Sequence, residues 1–225
     1  MKLFRNKIDY QKSYSQTGED LIVNRILNRL KISNPYYLDL GGYHPHIMSN
    51  TYHFYEKGSN GLIVEANPNL IPAFKKYRPK DKVENIGVCG IDGDGMSLKF
   101  YEFENQTVST FSEVEKNKLL YKGEKLLTEH LITMYTLNQI INQFCKKKPH
   151  FVSIDLEGID LEVLQSYNFD TYMPLVFCIE TAQMPEDTKN QKIIDLMNSK
   201  GYLLLADTYI NSIFVVEEVW KNRFL

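Results

Sequence analysis

The sequence predicts an α/β protein built on a doubly wound, mostly parallel sheet that ends in an antiparallel hairpin. Short apolar runs rich in β-branched and aromatic residues alternate with segments of helical periodicity, as they do when helices connect parallel strands. The last two apolar runs are separated only by residues 207–212, which is too short a connection for a helical crossover. These two runs should therefore pair antiparallel at one edge of the sheet.

Length and composition favour one domain that carries an insertion. The chain has 225 residues, of which 43% are hydrophobic and 24% are charged. A typical domain has roughly 150 residues, so we predict a single domain over residues 1–225. Its expected parts are an N-terminal helical segment at 13–31, a core at 35–217 and a lid or substrate insertion at about 104–129.

Charge and cysteine content argue against several classes of protein. The net charge of −2 gives no field that would attract nucleic acid. The 3 cysteines are an odd number and show no CxxC spacing, which argues against a disulfide framework or a zinc site. No apolar stretch is long enough for a membrane-spanning helix, and none follows the basic N-terminus as in a secretion signal. We therefore expect a cytoplasmic protein without a nucleic-acid partner or a transmembrane segment.

Helix and strand signals alternate through the first part of the chain. Leucine and isoleucine recur at helical spacing within residues 21–30. The runs 36–40 and 61–65 are rich in strand-forming residues and are followed by glycine or by an Asn-Pro pair. They predict two strands, with a helix at 49–57 between them.

A third apolar run, at 83–89, is followed by turn-forming residues at 92–95 and by another run at 96–103. The Asp-Gly-Asp-Gly sequence of the turn predicts that these two runs form a β-hairpin. The next segment, 104–129, has weak periodicity and many charges, and it lies where a doubly wound fold places a loop over its ligand crevice. We expect it to face the substrate.

Two runs in the second part of the chain are apolar almost throughout. They occupy residues 151–155 and 175–180, and they are typical of central parallel strands covered on both faces. Ahead of them, Thr136 and Gln139 have the spacing of a capping box and predict the start of a helix.

The C-terminal part predicts a helix and the closing hairpin. Apolar residues at helical spacing indicate a helix at about 187–199, and Gly201 follows it in the position that commonly ends a helix. The runs 202–206 and 213–216 then supply the two antiparallel strands.

Residues at the carboxyl ends of the predicted strands are suited to bind a nucleoside. Gly41 and Gly42 follow the first strand, where the lack of a side chain lets a bulky ligand approach the backbone. Glu65 ends the second strand, and its carboxylate can accept hydrogen bonds from two ribose hydroxyls. Asp155 and Glu180 end the fourth and fifth strands, so several carboxylates should meet at one edge of the sheet.

Two nucleoside ligands fit these residues, a dinucleotide and S-adenosylmethionine. A dinucleotide pyrophosphate requires a Gly-x-Gly-x-x-Gly turn at a helix N-terminus, whereas Gly41 and Gly42 are adjacent and no third glycine follows. A sulfonium ligand has no phosphate and suits a site rich in carboxylates. The residues therefore favour methyl transfer over hydride transfer.

Several short motifs occur in order between about residues 13 and 217. They are Ser15-Gln16-Thr17-Gly18-Glu19-Asp20, Asp39-Leu40-Gly41-Gly42-Tyr43-His44-Pro45 with Ser49-Asn50-Thr51, Val64-Glu65-Ala66-Asn67-Pro68, Ser109-Thr110-Phe111-Ser112 and Ser153-Ile154-Asp155-Leu156-Glu157-Gly158. In this combination the chain resembles the FkbM family of S-adenosylmethionine-dependent methyltransferases.

The resemblance implies a seven-stranded, Rossmann-like class I methyltransferase fold, S-adenosylmethionine as cofactor, and O-methylation of a small molecule or glycan. It implies that the methionine part of the cofactor lies over Asp39, Gly41 and Gly42, the ribose at Glu65, and the adenine near Gly87 and Val88. The other cofactor-binding residues that we predict are Gln16, Tyr43, Asn67 and Asp155.

A hydroxyl acceptor requires a base that removes its proton. His44 is the first candidate because a histidine can accept a proton near neutral pH. Asp155 and Glu157 are the other catalytic candidates, or they orient the amino group of the cofactor. A divalent metal held by His44, His46, Asp155 and Glu180 is a further alternative, which we do not favour.

The sequence thus predicts an O-methyltransferase that uses S-adenosylmethionine and methylates a sugar hydroxyl in a glycan or in a nucleotide- or lipid-linked precursor. Two alternatives stay open. One is a nicotinamide-dependent oxidoreductase on a Rossmann-like sheet, and the other is a catalytically inactive binding module. The partner of the predicted O-methyltransferase is a small-molecule or glycan acceptor. The sequence does not predict the oligomeric state.

Overall fold

The chain folds around a central sheet that is joined to a smaller second sheet. A computed structural model describes residues 10–90, 95–183 and 187–224. In chain order the strands are β1 (Tyr36–Leu40), β2 (Asn60–Val64), β3 (Lys82–Glu84), β4 (Gly87–Cys89), β5 (Ser97–Phe103), β6 (Leu126–Thr136), β7 (Phe151–Ile154), β8 (Val176–Glu180), β9 (Ala182–Gln183), β10 (Thr188–Lys189), β11 (Tyr202–Asp207) and β12 (Asn211–Val216). The helices are α1 (Glu19–Arg29), α2 (Tyr52–Glu56), α3 (Ile71–Tyr77), α4 (Glu113–Tyr121), α5 (Leu137–Gln139), α6 (Asp160–Ser166), α7 (Gln191–Ser199) and α8 (Glu217–Lys221).

The central sheet has seven strands in the order β11-β12-β8-β7-β1-β2-β3. The five strands from β8 to β3 pair parallel with their neighbours, whereas β12 pairs antiparallel with both β8 and β11. The predicted doubly wound, mostly parallel sheet with a terminal antiparallel hairpin is therefore confirmed.

Both faces of the central sheet are covered by helices. Alternate residues of a strand point to opposite faces, so Leu38 packs in the layer that contains α6 and α7, and Tyr37 packs in the layer that contains α1. The strands are buried on both faces, which explains why their sequences are nearly continuous apolar runs. None of the helices in the described part of the chain has the length and apolar character that crossing a bilayer requires.

The prediction of a single third strand at 83–89 is wrong. This run forms two strands, β3 and β4, which belong to different sheets. Strand β3 ends at Glu84 beside β2. The Asn85 side chain then donates hydrogen bonds to the backbone carbonyls of Glu65 and Ala66, at 2.9 and 2.8 Å. These bonds fix a bend, after which Gly87–Cys89 joins the second sheet.

The predicted hairpin between 83–89 and 96–103 is also wrong. The second sheet has the order β4-β6-β5, in which β5 pairs antiparallel with β6 and β4 pairs parallel with it. Strand β6 is the shared partner of β4 and β5. The sequence interpretation did not predict it, because its residues lay partly within the expected insertion. Of the predicted turn, residues 92–94 lie outside the described residues.

The expected insertion at 104–129 contains three different structures. Residues 106–112 form a 3₁₀ turn and an extended stretch, and most of them line a cavity. Helix α4 follows and covers the second sheet, where Leu119 packs with Tyr101 and Phe103. The last residues belong to β6. Only the first of these three parts therefore has the position expected of a substrate-facing segment.

Two predicted helix starts have different outcomes. The capping box of Thr136 and Gln139 is present, and the helix that it begins continues as a π-helical turn at Ile140–Phe144. Helix α7 begins at Gln191 rather than at about 187, because Thr188 and Lys189 pair with Gln183 and Ala182 as a short antiparallel ribbon.

Arg78 is fully buried at the centre of a hydrogen-bond network beneath the loop after β1. Its guanidinium donates to Asp81 at 2.7 Å, to the Tyr37 hydroxyl at 3.1 Å and to the Thr51 hydroxyl at 2.9 Å. Asp81 in turn accepts from the backbone amide of Gly61 at 2.8 Å. A buried cation is stable only when paired and hydrogen-bonded, so these contacts hold β1, β2 and the loop in one arrangement.

A buried carboxylate anchors the segment before α1 to the terminal hairpin. Glu19 accepts hydrogen bonds from the Asn211 amide at 3.0 Å and from the Thr208 hydroxyl at 2.8 Å. It also accepts from the backbone amide and the hydroxyl of Thr17. Burial opposes ionisation of Glu19, but these donors outweigh it and lower its pKa to about 2.

We expect Arg78→Met to lower the free energy of unfolding by about 3–5 kcal/mol, the cost of breaking a buried ion pair. The substitution leaves the Asp81 carboxylate buried without its cation. Urea unfolding would measure the change. Lys118→Met, which removes an exposed ion pair with Glu115, is the control and should cost less than about 1 kcal/mol. Equal losses in the two variants would contradict the role assigned to Arg78.

Candidate cofactor and acceptor site

A cavity of about 290 Å³ opens at the carboxyl ends of the parallel strands, between the central sheet and the second sheet. Its size is close to the lower bound of roughly 300 Å³ for small-molecule sites. The predicted site residues that line it are Gln16, Gly41, Tyr43, Glu65, Asn67, Gly87, Val88, Asp155, Glu157 and Glu180. The structure therefore brings together most of the residues that the sequence singled out.

Gly41 lies where no side chain fits. A Cβ atom at this position would meet the backbone oxygen of Asp155 at 1.9 Å, and the φ angle of 83° is left-handed. The amides of Gly41 and Gly42 both donate to the carbonyl of Val64, at 3.0 and 3.2 Å. The loop after β1 is thereby drawn onto the end of β2, with backbone rather than side chain facing the cavity.

Glu65 is buried at the end of β2, with 7% of its surface exposed. One carboxylate oxygen accepts from the backbone amide of Tyr43 at 2.9 Å, and the other accepts from that of Asn67 at 2.6 Å. Each oxygen keeps a second lone pair that can accept from a ligand hydroxyl. Burial raises the pKa of Glu65 to about 7, although these two bonds oppose the shift.

Three more carboxyl groups line the cavity beyond Gly41. A hydrogen bond joins the side chains of Asp155 and Glu180, which end β7 and β8. Burial and the negative charge of Glu180 raise the pKa of Asp155 well above its usual range. Burial, followed by the charges of Asp155 and Asp160, raises the pKa of Glu157 to about 7. Near neutral pH this wall therefore holds both protons and negative charge.

The opposite wall comes from the second sheet and the segment after it. Phe100, Phe111, Ile86 and Val88 give it an apolar surface. Next to this surface lie hydroxyl and amide groups from Gln106, Thr107, Ser109, Thr110 and Ser112. Among the described residues that line the cavity there is no lysine, arginine or histidine. The wall is suited to an uncharged ligand with many hydroxyl groups.

Backbone strain is concentrated at the edge of this cavity. Tyr43, Met48 and Glu157 have φ angles of 45°, 57° and 52°, in the left-handed region that non-glycine residues rarely adopt. All three line the cavity. Each such residue costs about 1–3 kcal/mol and persists only where its surroundings enforce it, a pattern typical of functional sites.

Four predicted site residues do not line the cavity. The Asp39 side chain faces the Arg78 network and accepts from the Thr51 hydroxyl. Gly42 packs against Ile63 and Phe74. Asp39 and Gly42 therefore lie one layer behind the surface that a ligand would touch.

The other two are His44 and His46, in the loop after Tyr43. Nδ1 of His44 accepts from the backbone amides of His46 and Ile47, at 3.1 and 3.0 Å. Burial lowers the pKa of His44 and of His46. The contacts of His44 shape the loop, and its role as a base stays a prediction from the sequence.

The sequence interpretation missed some of the residues that line the cavity. Ile86 and Phe100 lay within predicted strands, and nothing in strand periodicity distinguishes a cavity-lining residue from a core residue. Met48 and Gln106 lay in irregular segments. The signal that was available was the Ser-Thr-Phe-Ser motif at 109–112, which lines the cavity throughout.

The sequence profile of the FkbM methyltransferase domain matches residues 39–204. The chain belongs to the FkbM methyltransferase family. S-adenosylmethionine is therefore its cofactor, and the central sheet is the Rossmann-like sheet of class I methyltransferases. Membership also favours methyl transfer over the nicotinamide-dependent alternative.

Two solved methyltransferase structures are distantly similar to this FkbM protein. The first is 1,6-didemethyltoxoflavin-N1-methyltransferase of Burkholderia thailandensis with bound S-adenosylhomocysteine, at 8% identity and a TM-score of 0.45, covering 88% of this chain and 74% of that one. The second is precorrin-6y C5,15-methyltransferase of Geobacter metallireducens, at 10% identity and a TM-score of 0.42, covering 94% and 93%. Comparison with curated proteins gave no match.

The residues of this FkbM methyltransferase fit its cofactor. Glu65 has carboxylate lone pairs that can accept from hydroxyls, Gly41 leaves its backbone uncovered by a side chain, and Asp155 with Glu180 forms an acidic surface that can face a cation. Within the described residues no group of three or more histidine, cysteine or acidic side chains is arranged to hold a metal ion.

At pH 8, above the pKa of about 7 of Glu65, we expect Glu65→Gln to weaken binding of S-adenosylhomocysteine by about 1.5–3 kcal/mol, the net value of hydrogen bonds to a charged group. The amide keeps the shape of the side chain but loses charge and one acceptor. Calorimetric titration would measure the affinity. Glu84→Gln, on the neighbouring strand and paired with Lys82, is the matched control and should leave it unchanged. A wild-type affinity in Glu65→Gln would remove Glu65 from the site.

We expect the preference for S-adenosylmethionine over S-adenosylhomocysteine to increase by about threefold or more between pH 6 and pH 8, because only the former carries a sulfonium charge. With raised pKa values near 7, Glu157 and Glu180 lose protons over this range and gain the charge that attracts a cation. The other charged groups that act on Glu157 and Glu180 are Asp155, Asp160 and Lys189.

Titrations of both ligands at each pH would measure this preference. Glu180→Gln should flatten its pH dependence. Identical pH profiles for the two ligands in the wild-type protein would contradict the placement of the sulfonium beside these carboxyls.

Proposed function

We propose that this protein is an O-methyltransferase that transfers the methyl group of S-adenosylmethionine to a hydroxyl of a sugar, in a glycan or in a nucleotide- or lipid-linked precursor. The observation that carries the proposal is the composition of the cavity wall at 106–112, together with the carboxyl pair opposite it. Hydroxyls, an amide and aromatic rings are the groups that bind sugars, and they line the same cavity as a carboxyl pair able to take a proton.

The lack of a cation in the wall restricts the acceptor. Phosphate and carboxylate groups are usually bound by arginine or lysine. Because no such residue lines the cavity within the described part of the chain, the sugar that enters it should be uncharged. The phosphates of a nucleotide- or lipid-linked acceptor would then lie outside the cavity.

In the proposed mechanism the residues of this chain divide into three tasks. Glu65 binds the ribose, with its carboxylate oriented by the amides of Tyr43 and Asn67. Gly41, which has no side chain, would leave room for the methionine part of the cofactor at the end of β1. The cofactor supplies an electrophilic methyl group on a cationic sulfur. Phe111 and the hydroxyl-bearing residues beside it hold the acceptor so that one hydroxyl faces that methyl group.

The acceptor proton passes to Asp155 and Glu180 in this proposal. Their hydrogen-bonded carboxyls share a proton, so one of them is ionised and can accept while the other donates to it. A raised pKa brings this base close to the pH at which proton transfer is efficient. Glu157 also lines the cavity and adds further negative charge above its pKa of about 7.

Segment 106–112 is the part of the expected lid that we retain in the proposal. It is anchored to β5 by backbone hydrogen bonds between Tyr101 and Thr110, at 2.8 and 3.1 Å. We propose that it forms the wall for the acceptor, and that α4 behind it supports this wall rather than closing over the site.

The substrate class can be tested by methyl transfer from radiolabelled S-adenosylmethionine to neutral methyl glycosides and to the same sugars carrying a phosphate or a uronic acid. We expect labelling of at least one neutral glycoside and much weaker labelling of its charged counterpart. Labelling restricted to amino sugars would contradict O-methylation, and labelling restricted to charged sugars would contradict the uncharged-acceptor proposal.

Once a glycoside substrate is identified, we expect the double variant Asp155→Asn, Glu180→Gln, which removes both carboxyls of the pair, to lower kcat by about 100-fold or more, the usual contribution of a general base. The affinity for S-adenosylhomocysteine should change much less. His44→Ala is the comparison, because His44 is the other base that the sequence predicts and its Nδ1 is occupied by backbone amides. A larger loss of kcat in His44→Ala than in the double variant would assign the base to His44.

A further inference from the structure

Glu102 is a buried carboxylate in the second sheet, with 2% of its surface exposed. It lies on β5, where it follows the cavity-lining residue Phe100 at a spacing of two and so points to the same face. An apolar residue at this position would pack without cost, whereas a buried charge must be fully hydrogen-bonded to be tolerated. The presence of a carboxylate here requires an explanation.

Three side chains form hydrogen bonds with the carboxylate of Glu102. Oε1 accepts from the amide of Asn67 at 3.0 Å, and Oε2 accepts from the amide of Asn69 at 2.8 Å. Oε2 also contacts Nε2 of His130 on the adjacent strand at 2.8 Å. Burial opposes ionisation, but the bonds from His130, Asn69 and Asn67 outweigh it and lower the pKa of Glu102. Glu102 is therefore an anion held by neutral amides and a histidine.

These contacts lead directly to the cofactor-binding carboxylate. The backbone amide of Asn67 donates to Glu65 at 2.6 Å, while its side chain is held by Glu102. The side-chain oxygen of Asn67 accepts from the backbone amide of Asn69 at 2.9 Å, so the turn after β2 is fixed at both asparagines. The position of the amide that orients Glu65 thus depends on a residue of the second sheet.

We propose that Glu102 is a positioning residue for ribose recognition, which acts through Asn67 on the carboxylate of Glu65. The proposal rests on the proposed role of Glu65 in binding the ribose. In it, the second sheet has a task besides forming the cavity wall. It sets the geometry in which Glu65 accepts from the ribose hydroxyls.

A purely structural role for Glu102 predicts a different result. If Glu102 only joined the two sheets, its loss would loosen the whole cavity and lower the affinity for every ligand to a similar degree. If it acts through Glu65, its loss should lower the affinity only for ligands that carry ribose hydroxyls. Two ligands that differ only in these hydroxyls therefore separate the two roles.

The experiment is calorimetric titration of the full chain with S-adenosylhomocysteine and with its 2′,3′-dideoxy analogue. We expect Glu102→Gln to raise the Kd of S-adenosylhomocysteine about tenfold, because the amide cannot accept from both asparagines and the orientation of Glu65 is lost. The Kd of the dideoxy analogue should stay within about twofold of its wild-type value, since this ligand makes no ribose contact that could be lost.

The matched control is Glu129→Gln, an exposed carboxylate of the same sheet that pairs with Lys99. It should change neither Kd. If Glu102→Gln does not fold, Asn69→Ala removes one of the donors to Glu102 and should give the same pattern with a smaller change.

Each outcome decides the proposal. An unchanged Kd for S-adenosylhomocysteine in Glu102→Gln, or equal weakening of both ligands, would overturn it. Failure of the proposed role of Glu65 is a separate result, because the wild-type protein would then bind the two ligands equally well. Ribose-selective weakening in Glu102→Gln with no effect of Glu129→Gln would support it.

Discussion

The burial of Arg78 is the constraint on which the geometry of the site depends. A guanidinium with no exposed surface must find acceptors for its donors, and it finds them on β1, on the loop after β1 and on the turn that precedes β3. The loop after β1 is therefore held at its base, although it has little regular structure. Because the loop is held, Tyr43 can donate to Glu65 and Met48 can keep a left-handed conformation beside the cavity.

The site is asymmetric in charge. Acidic groups line the side formed by the central sheet, and neutral polar and aromatic groups line the side formed by the second sheet. The carboxyls of Asp155, Glu157 and Glu180 have raised pKa values because they are desolvated close to one another with no cation among the cavity-lining residues of the described chain. Such a surface can attract the cationic sulfur of the cofactor, and the wall that faces it has the neutral polar groups that the proposed sugar acceptor requires.

Local sequence patterns were sufficient to predict the central sheet but not the second sheet. Strands β1, β7 and β8 are buried on both faces, so their apolar runs are unambiguous, and Gly41 and Glu65 could be located from strand ends alone. Strand β6 escaped prediction because one of its faces is exposed and its polar residues resemble those of a loop. The bend at Asn85 depends on side-chain contacts with the carbonyls of Glu65 and Ala66, which no local pattern reveals. The positions of Asp155 and Glu180 were predicted, whereas the hydrogen bond between them exists only once β7 and β8 are adjacent.

The anchoring of segment 106–112 has an evolutionary consequence. The segment is fixed to β5 at Tyr101 and to Phe103 through the Ser109 hydroxyl, while most of the side chains between these anchors face the cavity. Its packing does not involve the apolar layers of the central sheet, and the backbone amides that donate to Glu65 come from Tyr43 and Asn67. If this segment holds the acceptor as we propose, substitutions that keep Ser109 and Thr110 in place would change acceptor contacts and leave the apolar layers of the central sheet as they are. A lineage could thus exchange one acceptor for another by changing a single short stretch of sequence.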